Sequence, residues 1–88
     1  MPEIYEVVVK VVSQKGTCHA GHKVGDEWVI APRTPEGICL GAFHTMFPTL
    51  LLLLTGAPIS WRADPDATTI ACPDAENPVV FELRRLPK

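Results

Sequence analysis

The sequence predicts an α+β domain with a small, mainly antiparallel sheet, its elements in the order β-β-α-β-β. Three observations predict it. Residues Ile4 to Val12 place Tyr5, Val7, Val9 and Val11 on one side and Glu6, Val8, Lys10 and Val12 on the other, the two-residue period of a strand with one buried face. Val79 to Leu86 alternates in the same way near the other end of the chain. Between them the helix-start residues Thr34-Pro35-Glu36 lead into a segment that is apolar nearly all round, ending in five leucines before the helix-stop residue Gly56. Strands in pairs around a central helix fit a sheet with the helix on one face.

The elements follow in order. After the first strand, Ser13 to Thr17 leads into a loop carrying Cys18, His19 and His22, punctuated by Gly21 and Gly25. Val24-Gly25-Asp26 reads as a turn and Glu27-Trp28-Val29-Ile30 as the second strand. Thr34-Pro35-Glu36 combines an N-cap residue, proline at the first helical position and an acid in the first turn. It predicts a helix from Thr34 to Thr55, with Gly56 ending it. Gly37 and Gly41 each cost roughly 1 kcal/mol relative to alanine. Pro48 removes a backbone donor, so one kinked helix or two short ones are expected. Trp61 reads as an anchor in an irregular stretch, and Asp64-Pro65-Asp66 as a turn. Thr68 to Ala71 is the third strand, Pro73 to Pro78 a loop, and Val79 to Leu86 the fourth strand. Trp28, Trp61 and Phe81 are expected in the core, and Arg84-Arg85 at a solvated strand end.

The chain of 88 residues, 1–88, is one domain. A domain this small buries only about 60–65% of its unfolded surface. Yet 47% of its residues are hydrophobic, concentrated in a few segments. The predicted helix is apolar nearly all round, with only His44, Thr45, Thr49 and Thr55 polar after Leu40. A surface helix normally shows a polar face, so a second copy of the chain is expected to cover its far side. The partner expectation is a homo-oligomer. Net charge is −2 with no lysine or arginine run, which argues against nucleic acid. The Leu50–Leu54 run is broken by Pro48, Gly56 and Pro58 and falls short of the ~20 residues of a membrane span. The acidic start of the chain does not read as a secretory signal, and the odd cysteine number does not suit a disulfide framework, so a reducing cytoplasm is the expected setting.

The functional clue is three thiols and three imidazoles in short clusters: Cys18-His19-Ala20-Gly21-His22, then Cys39 with His44, then Cys72. These are ligands for zinc, iron and copper, or nucleophiles and their bases. Their surroundings carry a resemblance. Gly16-Thr17-Cys18-His19-Ala20-Gly21-His22-Lys23-Val24-Gly25-Asp26, Thr34 to Cys39, Ala42-Phe43-His44, Cys72-Pro73-Asp74 and Asn77 to Arg85 resemble the signature of a family of small bacterial and archaeal proteins. That family is known by a catalogue number and has no assigned activity. The resemblance spans essentially the whole chain and implies Cys18, His22, Cys39, His44 and Cys72 as its recurring positions. It leaves His19 outside them, and the Leu50–Leu54 run is more apolar than the family's helix.

Since the family carries no reaction, the chemistry is argued from the residues. Zinc takes about four nitrogen and sulfur ligands in a tetrahedron. Cys18 and His22 share one loop, Cys39 sits near the helix start and Cys72 at a strand end. Convergence of these elements at one rim would give a metal site of Cys18, His22, Cys39 and Cys72, with zinc or an iron–sulfur cluster as cofactor. No Cys-x-x-Cys pair is present, and the Cys18–His22 spacing is not a common zinc-finger one. His44 is a further candidate, but five helical residues from Cys39 turn it about 140° away. The plainer reading of His44 is a buried histidine bonded to backbone. Two alternatives stay open. One is a homo-oligomeric small-molecule-binding module with inert thiols. The other is a thiol or redox enzyme using Cys18, activated by His19 or His22, with Asp26 or Asp74 orienting an imidazole or serving simply as turn residues. No substrate or reaction is legible.

Overall fold

A computed structural model describes residues 4–87. The element order is β1 (Val7–Gln14), β2 (Glu27–Ile30), α1 (Leu40–Leu54), β3 (Ala67–Ala71) and β4 (Val79–Arg85). This is the predicted α+β arrangement. The four strands form one antiparallel sheet in the order β2-β1-β4-β3. The helix joins the two edge strands, so its connection crosses one face of the sheet, where α1 packs on β1, β3 and β4.

Alternation decides which side chains meet the helix. Val7, Val9 and Val11 of β1 and Val79, Phe81 and Leu83 of β4 are all buried, with Ile30 of β2 beside them. A bulge between Val11 and Ser13 slips the register by one residue, so that Val11 pairs with Phe81 but Gln14 with Val79. Against this wall the helix presents Ala42, Met46, Leu50 and Leu53, spaced four, four and three residues apart on one face. The opposite sheet face is not covered by the helix. There Val8 pairs with Val29, and exposed ion pairs join Lys10 to Glu27 and Arg84 to Glu82.

The helix starts later than Thr34-Pro35-Glu36 suggests. Its N-cap is Cys39, with φ −54° and ψ 135°, and residues 34–39 form a loop. Gly37 has φ +97°, a left-handed conformation that interrupts helical winding. The far end is as predicted. Gly56 has φ +86°, and its amide donates to the Leu53 carbonyl while that of Ala57 donates to Leu52, at 3.3 and 2.9 Å. This is the paired closure of a glycine-terminated helix. Pro48 lies inside a single continuous helix rather than between two. Pro48 and His44 are both exposed, so the carbonyl that loses its donor is on the side that water can reach.

Two residues depart from expectation. Trp61 is 60% exposed and does not anchor the core. Arg85 is not at a solvated end: its side chain is only 9% exposed. It occupies the inward position after Val79, Phe81 and Leu83, opposite Val7. From there its Nε donates to the Leu53 carbonyl at 3.0 Å, one Nη to the Ala57 carbonyl, and the other to Asp66 Oδ1 at 3.1 Å. The guanidinium also sits 5.3 Å from the Tyr5 ring centre. A cation at a helix C-terminus is favourable, and this one ties helix, loop and sheet together. Arg84, pointing the other way, pairs with Asp64 at the surface. Replacing Arg85 with Met is expected to cost about 2–4 kcal/mol, because carbonyls and Asp66 lose a charged donor, whereas Arg84→Ala costs under ~1 kcal/mol. Urea denaturation of both variants checks the contrast.

Candidate functional site

The predicted convergence at one rim is present in the backbone. Gln14, ending β1, pairs with Val79, starting β4, and Ala71, ending β3, pairs with Val80. The loop after β1 and the turn after β3 therefore leave the sheet at the same edge. Thr17 donates its amide to Asn77 Oδ1 at 2.9 Å, joining the two. The helix start is at this edge too. A Cβ built on Gly41 would lie 3.6 Å from Pro73 Cγ and 4.0 Å from Cys39 Sγ. Cys18, Cys39 and Cys72 are all half-buried free thiols packed against the hydrophobic core.

Their polar contacts do not form one coordination shell. His22 is 6% exposed, and its Nε2 accepts the Cys39 amide at 3.0 Å. Its ring stands edge-on to Trp28 and Phe81, at centroid distances of 5.1 and 6.0 Å. The imidazole thus satisfies the amide of the N-cap residue itself, as the reaching-back side chain of a capping box does, and the side chain of Cys39 does not cap α1. A nitrogen that accepts an amide proton has its lone pair in use, so His22 could ligate through Nε2 only by releasing the helix. Cys72 joins the strand ladder: its amide donates to the Val79 carbonyl at 2.9 Å, and its Sγ accepts the Val79 amide at 3.2 Å. The Cys18 carbonyl accepts the Gly21 amide, closing the loop locally, and no hydrogen bond links its thiol to either neighbouring histidine. Among the described residues, no group of three or more His, Cys, Asp or Glu side chains is placed to hold a metal ion.

Among the described residues, the remaining candidates complete no metal-holding group with the thiols. His44 is exposed rather than buried, about 160° around the helix from Met46 and its neighbours on the buried face. His19 is exposed. Asp26 and Asp74 are turn residues. Asp26 Oδ2 accepts the Lys23 amide at 3.1 Å, and Asp74 Oδ1 accepts the amides of Glu76 and Asn77. Hydrogen bonds from Asn77, first from its side chain, hold the Asp74 carboxyl below the usual carboxylate range.

A second feature was not singled out by sequence. The loop after β2 and one flank of α1 enclose an apolar groove of about 280 Å³. Ile4, Ile30, Phe43, Phe47, Leu50 and Leu54 form much of its wall, with Arg33 and Thr34 among its few polar residues. The Leu50–Leu54 run was the available signal, but it does not show which leucines remain outside the core. Next to the groove, α1 exposes Leu40 (83%), Phe47 (49%) and Leu51 (49%), and His44 falls in the same stripe.

Among known proteins, no family model matches this chain, and neither does any curated sequence or solved structure.

His22→Ala is expected to destabilise the fold by about 2–4 kcal/mol, the cost of a buried ring and of an orphaned helix donor. Cys18→Ser should change stability by under ~1 kcal/mol if its thiol is only a half-buried neighbour of the core. Thermal and chemical denaturation of the two variants checks this difference.

Proposed function

We propose that the protein is a self-associating binding module. A second copy of the chain covers the outward stripe of α1, and the adjoining groove receives a small apolar ligand. The observation that carries this is the exposed stripe of Leu40, Phe47 and Leu51 beside a groove that Phe47 and Leu51 also line. An apolar stripe on both copies is self-complementary, as a two-fold interface requires. Large exposed apolar side chains grouped on one face mark interaction surfaces. Light scattering at micromolar concentration should give a dimer or higher oligomer. Leu40→Glu combined with Leu52→Glu, which alters the stripe and its flank without touching the groove wall, should yield a folded monomer. A monomeric wild-type protein would overturn the self-association.

A second reading is a transition-metal site, zinc or iron–sulfur, at Cys18, His22, Cys39 and Cys72. It is supported by the three thiols lying at one rim with His22 bonded to Cys39. It requires the rim to rearrange, since His22 must leave the helix amide and the thiols must turn toward one another. This reading carries with it the resemblance to the small bacterial and archaeal family, whose recurring positions include these four. Anaerobic purification without a histidine tag, followed by elemental mass spectrometry and a visible spectrum, tests it. Near one equivalent of metal, lost in Cys39→Ser, is the expected result. Less than one-tenth equivalent after reconstitution with zinc or iron and sulfide would exclude it.

A further inference from the structure

We infer that the groove beside α1 selects a small amphipathic carboxylate, its apolar body between the helix flank and the β2–α1 loop and its head group at Arg33. The inference rests on the binding-module reading above and adds the chemical class of the ligand. The groove wall is hydrocarbon on both sides: Ile4 and Ile30 face Phe43, Phe47, Leu50 and Leu54. Its base is formed in part by Leu50 and Ile30, which are core residues, so a ligand there would extend the core rather than lie on the surface. At about 280 Å³ the space sits near the lower end of the roughly 300–1,000 Å³ typical of small-molecule sites.

Charge gives the polarity. Among the described residues that line the groove, Arg33 is charged and none is acidic. The ion pairs formed among the described residues engage Lys10, Arg84 and Arg85 but not Arg33. Thr34, which follows Arg33 in the chain, also lines the groove, whereas the Thr55 hydroxyl is committed to the Leu51 carbonyl at 2.7 Å. A guanidinium presents a planar fork that matches a carboxylate with two parallel hydrogen bonds. An apolar slot with such a fork at its lip favours an anion over a neutral or cationic ligand of the same length.

Calorimetric titration of the full chain with octanoate, octanol and octylamine at neutral pH tests this, with amide chemical shifts locating the site. Octanoate should bind at least tenfold more tightly than octanol and shift resonances of Arg33, Phe43 and Leu54. Arg33→Gln, an exposed loop substitution, should weaken octanoate at least tenfold and leave octanol unchanged. If octanol and octanoate bind the groove equally, or Arg33→Gln leaves octanoate unaffected, the carboxylate assignment is overturned and the binding-module reading stands. If none of the three probes shifts the groove residues, both fail.

Discussion

The position of α1 depends on two side chains that hold its ends. His22 accepts the Cys39 amide at the N-terminus, and Arg85 donates to the Leu53 and Ala57 carbonyls at the C-terminus. The helix supplies little of its own termination chemistry. It has no side-chain N-cap bond, no acid in its first turn and no base in its last. It is also apolar on nearly every side. Hydrophobic attraction is non-directional, so burial alone does not strongly favour one rotation of such a helix over another. Hydrogen bonds are directional, and these two come from the loop beside β2 and from the inner face of β4. They select the rotation that sends Ala42, Met46, Leu50 and Leu53 inward and leaves Leu40, Phe47 and Leu51 outward.

That selection has consequences at both ends of the molecule. At the thiol rim, the residue best suited by type to bind metal is engaged in capping the helix, wedged against Trp28 and Phe81. Cys39 contributes its backbone as the N-cap, and Cys72 enters the strand ladder through its sulfur. The same residues that look like a ligand set therefore perform structural work, and metal binding there competes with it. Along the helix, the rotation places the outward stripe next to the β2–α1 loop and opens the groove between them. The exposed apolar stripe and the groove are two products of one orientation.

Much of this architecture was legible in the sequence where the signal is local and periodic. Each strand lies within a few residues of where alternation places it, because a pleated backbone sends successive side chains to opposite faces. Gly56 marked the helix end because few other residues tolerate its φ. The helix start was misread, since Thr34-Pro35-Glu36 is a valid local signal that Gly37 and the His22–Cys39 bond override. Arg85 was misread although the pattern 79, 81, 83, 85 already put it on the inner face. Its charge suggested solvent, and only the helix carbonyls it meets explain its burial. Trp61 was misplaced because size alone does not distinguish an anchor from an exposed ring.

The sequence by itself determined the α+β class, the four strands and their faces, the helix end, and the gathering of three thiols on elements that could share a rim. These follow from periodicity, steric preference and chain connectivity, which act over a few residues. Tertiary structure alone decided that His22 caps the helix, that His44 faces outward, and which of five consecutive leucines are core, surface or groove wall. Those choices rest on contacts between residues 17 to 32 positions apart, such as His22 with Cys39 and Leu53 with Arg85. No local pattern encodes them, because an all-apolar helix carries no polar face from which its rotation could be read.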